Sequence, residues 1–186
     1  MKLMRFRLLL ICVCFSVGTA LFSAESTKID IAADVFQFDA RQNVMLASGN
    51  VVVKRRDMTV RANRGRYDQV KQVVTLYNAV KLVRGNMKLM SGEVTVYGNE
   101  NKVIASEKPT FVFATMTGQS DSIVYDLNKE LVTLTGHAQA MQGKDAIFGD
   151  WVWVDLLHQK FRATTRKGVT GSSRPRVRLS VDQLPK

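Results

Sequence analysis

The side chains that could take part in catalysis or metal binding are two histidines and a regularly spaced set of aspartates. His137 and His158 have no neighbouring cysteine and no second ligand at the spacing of metal sites. Paired carboxylates could hydrolyse a glycosidic bond, one as the acid and one as the base or nucleophile. The aspartates recur, however, at the start of successive polar turns, where a carboxylate accepts hydrogen bonds from backbone amides. These positions are Asp39, Asp68, Asp126 and Asp155.

This pattern argues against an enzyme. The turns contain no tight loop of several oxygen ligands, so calcium binding is only a weaker alternative. The sequence also has no glycine-rich phosphate loop and no nucleophile motif. We therefore predict a protein with no catalytic residue, no metal site and no cofactor.

The aspartates belong to an internal 29-residue repeat. Each unit contains a short alternating strand, a polar turn, a longer strand and a polar link, which in the first unit are residues 36–38, 39–43, 44–54 and 55–57. No helical period is found after the first two dozen residues, and valine and threonine are abundant. The repeat therefore predicts an all-β chain of successive hairpins.

Alternation along the strands places apolar side chains on one face of each hairpin and polar ones on the other. The alternation slips near the small residues Ala62, Ser91 and Ser120, where we expect bulges or bends. A stack of such hairpins must fold its apolar face on itself or on a second sheet. We predict a single-domain antiparallel β-jelly roll, or a twisted β-trough, built from 29-residue hairpin repeats and open at both ends.

The N-terminus has the order of a secretory signal peptide: basic residues, an apolar run and then small residues. The small residues favour cleavage after Ala20, and cleavage after Ala24 is an alternative. We expect residues 1–20 to be the signal peptide and residues 25–186 to form one domain. The apolar run, residues 8–22, is shorter than the roughly 20 residues that cross a membrane, so an uncleaved anchor is less favoured.

The predicted leader also determines the redox chemistry and the charge of the exported chain. It contains both cysteines, Cys12 and Cys14, so the exported protein would have neither a disulfide nor a thiol. The net charge is +11, and loss of the leader would lower it to about +8. Such a surface suits an anionic partner, and export makes a phosphorylated lipid or acidic sugar a better candidate than nucleic acid.

Five segments resemble the OstA-like lipopolysaccharide-transport family. The Gly-Asn-Val pattern lies in residues 47–53 and is followed by Arg-Ala-Asn at 61–63. A second copy lies in residues 131–138, and residues 108–111 are similar to the family's Lys-Pro-Ala-Thr-Phe segment. Residues 176–184 are similar to the C-terminal end of the family's soluble periplasmic bridge member. One departure is His137, in a turn where the family usually has asparagine.

The resemblance implies a jelly roll that holds the acyl chains of lipid A inside. It implies as partners lipopolysaccharide, further copies joined by edge-strand pairing, and the inner-membrane anchor and outer-membrane translocon proteins that carry OstA-like domains. The expected location is the periplasm. The expected function is to carry lipopolysaccharide from the inner to the outer membrane as part of a head-to-tail protein bridge. Nucleic acid is not expected as a partner.

Two groups of residues are candidates for contact with such a ligand. The first faces the apolar interior and would contact acyl chains: Phe36, Phe38, Ala47, Val51, Val53, Leu76, Val80, Leu82, Val96, Ala105, Phe111, Tyr125, Leu134 and Ala138. Several are small, so we expect a hollow that the side chains do not fill. The second group contains candidates for the lipid phosphates, although a solvated basic face is an alternative for them: Arg55, Arg56, Arg64 and Arg66.

Two other functions stay open at this point. One is an inner-membrane-anchored member of the same pathway, which would keep its leader. The other is a β-solenoid with a structural or polysaccharide-binding role, in which each 29-residue unit forms one coil of parallel strands. A solenoid would have an interior filled by side chains.

Overall fold

The computed structural model describes residues 29–165 and 174–179. The predicted signal peptide, residues 1–20, lies outside the described residues. So do the first and last few residues of the predicted domain, which was placed at residues 25–186. The described part of the chain contains no helix long and apolar enough to cross a membrane. Its elements are fourteen strands: β1 (Asp30–Ala32), β2 (Val35–Asp39), β3 (Val44–Arg55), β4 (Met58–Asp68), β5 (Val73–Arg84), β6 (Met87–Tyr97), β7 (Lys102–Ser106), β8 (Thr110–Phe113), β9 (Met116–Gln119), β10 (Ser122–Asp126), β11 (Leu131–Gln142), β12 (Asp145–Asp155), β13 (Lys160–Thr164) and β14 (Arg176–Arg178).

All recorded strand pairs among the described residues are antiparallel, and neighbouring strands are mostly consecutive in the chain. The prediction of an all-β antiparallel jelly roll is confirmed. The alternative of a β-solenoid is wrong, because its coils need parallel pairing. The strands β3, β5, β7, β11 and β13 begin at equivalent positions of successive units, in agreement with the sequence repeat.

The jelly roll has two layers that face each other, and the long strands pass through both. Layer A contains the segments 35–39, 44–48, 64–68, 73–77, 93–97, 102–106, 122–126, 131–135, 151–155 and 160–164. Layer B contains the segments 30–32, 51–55, 58–62, 80–84, 87–91, 110–113, 116–119, 138–142, 145–149 and 176–178.

The strands bend from one layer to the other at pairs of residues with positive φ. The register between β3 and β4 shifts between Ser48 and Val51, and between β5 and β6 it shifts between Tyr77 and Val80. Left-handed backbone is costly for residues with a Cβ, so two in succession mark a sharp change of direction. The pairs recur at the interval of the repeat: Gly49 and Asn50, Asn78 and Ala79, Glu107 and Lys108, and Gly136 and His137. The sequence predicted slips of the alternation near Ala62, Ser91 and Ser120 on the partner strands and a slight irregularity at Asn78.

The polar turns of layer A are capped as predicted. Asp39 Oδ1 accepts hydrogen bonds from the amides of Arg41 and Gln42 at 2.9 and 3.1 Å. The carboxylates of Asp68, Asp126 and Asp155 accept equivalent bonds from the amides of Lys71, Asn128, Lys129 and His158. Their periodic recurrence is therefore explained by turn geometry.

The two ends of the jelly roll are open. Among the described residues, β1 and β2 at the N-terminal end each pair only with β3, and β13 and β14 at the C-terminal end each pair only with β12. Each end therefore presents two edge strands with a free row of backbone hydrogen-bonding groups. This arrangement confirms the prediction of a trough open at both ends.

Candidate functional site

The apolar face of both layers forms one continuous interior. Twelve of the fourteen residues predicted to line it are buried there, because the period of two in each strand turns alternate side chains inward. They are Ala47, Val51, Val53, Leu76, Val80, Leu82, Val96, Ala105, Phe111, Tyr125, Leu134 and Ala138. Their burial is confirmed, and their contact with a lipid stays a prediction.

Phe36 and Phe38 are the exceptions. Their side chains face the interior as predicted but are 45% and 58% exposed, so they are not part of the buried core. Each is paired with a residue of β3, Phe36 with Ala47 and Phe38 with Met45, so they lie on the same face of layer A as the interior. They stay exposed because β2 is the edge strand at the open end, where no further described strand covers them.

The interior is filled by side chains, so the expected hollow is wrong for this conformation. The small residues are compensated by large neighbours: a Cβ added at Gly118 would overlap the ring of Phe111 and lie 3.0 Å from Cδ2 of Leu134. The cavity recorded beside the core lies at the N-terminal end, between Ile31 and Leu76, and has a volume of about 10 Å³. On this measure one water molecule needs roughly 10–15 Å³, so the cavity is far too small for an acyl chain.

The layers meet differently along their two long sides. Along one side the bent strands join them covalently, whereas along the other the turns of layer A only face the turns of layer B. We call this second side the seam. Arg84, at the layer B end of β5, crosses the seam: its Nη1 donates to the Tyr125 hydroxyl at 2.8 Å and to Glu130 Oε1 at 2.5 Å. Its Nε donates to Asp57 Oδ2 at 2.9 Å.

We call such hydrogen bonds across the seam a tie, and Tyr125 connects the tie of Arg84 with the interior. Its ring is buried in the core, its hydroxyl donates to Glu130 Oε2 at 2.5 Å, and the Arg84 guanidinium lies 5.9 Å from the ring centroid. Burial, followed by the bond to Glu130, raises the pKa of Tyr125 well above its ordinary value, so the phenol stays protonated and donates. The pKa of Arg84 is also raised, because its bonds to Asp57, Glu130 and Tyr125 outweigh its desolvation.

Arg55 makes the equivalent tie one repeat earlier. Its Nη2 donates to Gly98 O at 2.8 Å and to Asn101 Oδ1 at 2.7 Å, both in a layer A turn. The residue is only 6% exposed, because its position continues the inward alternation of Val51 and Val53. A solvated basic face is therefore the wrong description of Arg55.

The third repeat has no such tie. Phe113 stands one repeat after Arg84, and a phenyl ring cannot donate a hydrogen bond. The layer A residues at this level are apolar too: Leu127 packs against the core and Leu156 is buried in it. At the level of Phe113, apolar packing therefore takes the place of the polar ties that Arg55 and Arg84 make.

The four arginines predicted to contact phosphate do not form one site. Arg55 and Arg56 lie at the seam, where Arg56 is an exposed turn residue with φ of 52°. Arg64 and Arg66 instead line a groove of about 560 Å³ on the outer face of layer A, on the opposite side of the sheet from the apolar interior. Nη1 of Arg66 lies 3.8 Å from Asp68 Oδ2.

The cross-seam network was not predicted from the sequence. Arg84, Asp57 and Glu130 are far apart in the chain and none has an unusual neighbourhood. The signal that could have found the tie is the repeat itself, because Arg84 follows Arg55 by one full unit, as Glu130 follows Asn101.

The histidines lie at the surface. Nδ1 of His137 is 2.8 Å from Asp121 Oδ2, and Nδ1 of His158 is 2.8 Å from Asp155 Oδ2. Within residues 29–165 and 174–179, no group of three histidine, cysteine, aspartate or glutamate side chains is placed to hold a metal ion.

Comparison with known proteins gives a family and a similar structure. A family model described as "LptA/(LptD N-terminal domain) LPS transport protein" matches residues 59–160, more than half of the chain. The chain is also similar to the crystal structure of LptH, the LptA homologous periplasmic component of the lipopolysaccharide transport device from Pseudomonas aeruginosa. The identity is 21%, the match covers 83% of this chain and 95% of that chain, and the TM-score is 0.36. None of the curated protein sequences matches the chain.

Proposed function

Since the chain belongs to the family of LptA and LptD N-terminal domain lipopolysaccharide transport proteins, we propose that it binds lipopolysaccharide and carries it from the inner to the outer membrane. It does so by binding and transfer, without catalysing a reaction. The observation that carries this proposal is the continuous apolar interior, which runs from Val51 in the first repeat to Val154 in the last.

Such an interior meets the physical requirement of moving a lipid through water. Each CH₂ group transferred out of water gains ~0.8 kcal/mol, so a chain of about 12 carbons costs roughly 10 kcal/mol to expose. A lipid with several chains cannot cross an aqueous space unaided at a useful rate. An apolar interior open at both ends removes most of that cost along its length.

The lipid enters through the seam. The described interior has no slot for an acyl chain, so the layers must part, and only the seam can open without breaking strands. Arg84 makes two hydrogen bonds across the seam, to Tyr125 and Glu130. Disrupting both costs about 3–6 kcal/mol, which is less than the roughly 10 kcal/mol that one buried acyl chain contributes. Ligand binding can therefore drive the opening.

The open ends provide the route from one protein to the next. The edge strands β1 and β2 of one copy pair with β13 and β14 of another, which extends both layers and continues the interior. The exposed Phe36 and Phe38 would then be covered by the neighbouring copy. The same edges would receive the inner-membrane anchor and the outer-membrane translocon, whose domains share the fold.

We place the mature protein in the periplasm, released by cleavage of the leader after Ala20 or Ala24. Mass spectrometry of the N-terminus of the native protein tests this. An intact N-terminus at Met1 would instead identify an inner-membrane-anchored protein of the same pathway.

Photo-crosslinking in cells tests the ligand and its position. The photoreactive amino acid p-benzoylphenylalanine replaces Phe111, which is buried in the interior, or Phe148, a matched aromatic on β12 whose ring faces Arg178 on the outer surface. We expect a crosslink to lipopolysaccharide from position 111 and none from position 148. Equal crosslinking at both positions, or none at either, would reject an interior lipid site.

Association of copies is tested with two single substitutions of exposed apolar residues. Phe38→Lys places a charge on the edge strand β2, whereas Leu46→Lys places it on the outer face of β3, an inner strand. We expect only Phe38→Lys to abolish the concentration-dependent rise in mass measured by analytical ultracentrifugation. A monomeric wild type at all concentrations would contradict the head-to-tail assembly.

A further inference from the structure

Arg55 is a buried cation with an unused donor. The residue is 6% exposed, and its Nε is buried without any hydrogen-bond partner among the described residues. A buried donor that has lost water and found no acceptor destabilises the folded protein, and a charged donor does so more strongly. Native proteins rarely keep such groups, and a bound ion is one of the explanations for those that they keep.

The charge of Arg55 is also without a counter-ion in the part of the chain that the structure describes. Its two recorded acceptors, Gly98 O and Asn101 Oδ1, are both neutral. The nearby carboxylates of Asp57 and Glu130 are bound by Arg84. Burial, followed by repulsion from the adjacent Arg56, lowers the pKa of Arg55, so its surroundings disfavour the cation that the side chain carries.

Arg55 also lines a cleft. The cleft is part of the seam, has a volume of about 40 Å³ and is lined by residues of both layers: Arg55, Arg56, Asp57, Met58, Arg84, Asn101, Leu127 and Asn128. This is room for one or two water-sized groups, so oxygen atoms of an anion fit while the rest of the molecule stays in solvent. Met58 is buried in the core and Leu127 packs against it, so the cleft connects the charged rim with the apolar interior.

We propose that Arg55 and Arg56 form a binding site for a phosphate monoester in this cleft. Two adjacent guanidinium groups match its double charge, and its oxygens accept from Arg55 Nε and from the exposed Arg56. The charged residues of the cleft and the apolar interior together suit an amphiphile. Its phosphate would lie at the seam and its acyl chains in the interior beneath Met58. Arg64 and Arg66 do not take part, because they lie on the outer face of layer A. Identification of the phosphate as that of a lipid headgroup rests on the proposed transport function.

The test compares two ligands and four proteins. The ligands are lipid A carrying its phosphates and the same lipid A after phosphatase treatment, and a separate arm uses inorganic phosphate. The proteins are the exported wild type, Arg55→Gln, Arg56→Gln and the control Arg64→Gln. Arg56→Gln keeps the fold, because glutamine adopts the same positive φ in this protein at Gln72 and Gln159.

We expect removal of the phosphates to weaken binding to the wild type and to the control about tenfold, the factor of one charge-assisted hydrogen bond. Arg55→Gln and Arg56→Gln should bind both lipids with the same reduced affinity. If both variants keep the wild-type preference for phosphorylated lipid, the site is rejected while lipid transport stands.

The inorganic phosphate arm separates the two proposals. If no lipid binds but phosphate raises the melting temperature of the wild type and not of Arg56→Gln, the anion site stands and transport of lipid is rejected. If neither lipid nor phosphate has an effect on the wild type, both proposals fail.

Discussion

Arg55 and Arg84 make equivalent ties across the seam, each to a residue 46 positions further along the chain. Arg55 donates to Asn101 Oδ1 at 2.7 Å and Arg84 to Glu130 Oε1 at 2.5 Å. The repeat has thus produced the same connection twice with different acceptors, one neutral and one charged. The two arginines therefore differ in role: Arg84 is neutralised by carboxylates of the protein, whereas Arg55 has no counter-ion among the described residues.

Arg84→Gln is expected to lower the free energy of unfolding by about 1–3 kcal/mol, because it leaves Glu130 and the buried Tyr125 hydroxyl without their cation. Urea denaturation measures the loss. Arg61→Gln, an exposed arginine of β4, is the matched control and should change stability by less than about 0.5 kcal/mol. If the seam is the entrance for lipid, Arg84→Gln should also take up lipopolysaccharide faster. Equal stability of the two variants would show that the tie does not hold the layers together.

Gly118→Ala is expected to destabilise the protein by about 1–3 kcal/mol through overpacking, because the added Cβ overlaps the ring of Phe111 and approaches Leu134. Phe111→Leu removes the overlapping ring atoms. The double variant should therefore be more stable than the sum of the two single effects predicts, and a double-mutant cycle by thermal denaturation measures the coupling. Additive effects would mean that Phe111 does not occupy the space left by the glycine.

Val80→Asp and Phe38→Asp are expected to differ although both positions are on the inward face. Val80 is 1% exposed, so an aspartate there is an unpaired buried charge and should prevent folding. Phe38→Asp should fold normally, because the side chain is largely exposed at the open end. Far-UV circular dichroism and limited proteolysis distinguish the two, with the turn substitution Arg41→Asp as the control. An unfolded Phe38→Asp would contradict the exposed position of β2.

The stability of the protein should depend on pH through His137. The hydrogen bond to Asp121, with a smaller attraction from Asp150, raises the pKa of His137 above its ordinary value. The folded state therefore favours the protonated ring. This contribution to stability is fully present below about pH 6.5 and disappears as the pH rises through the raised pKa. An NMR titration of the imidazole in the wild type and in Asp121→Asn checks it, and equal pKa values would exclude the ion pair.

Most of the fold could be predicted because it depends on local periodicity. The regular recurrence of Asp39 and its equivalents indicates where each turn lies, and alternation along β3 to β12 indicates which side chains face inward. The positions of the bends between the two layers were harder to predict from the sequence. Asn78–Ala79 and Glu107–Lys108 have the same left-handed backbone as Gly49–Asn50 but contain no glycine, so no residue type that favours this conformation marks these bends fully in the sequence.

Within the site, the sequence by itself determined the apolar interior, the turn carboxylates and the family. Each is encoded by spacing along one strand or turn, which the chain carries with it before folding. Only the tertiary structure decided that Phe36 and Phe38 stay exposed, that Phe111 fills the space beside Gly118, and that Arg55 points inward while Arg64 points outward. These outcomes depend on which layer faces which and on where the sheet ends, and such relations between residues distant in the chain exist only after the two layers have closed on each other.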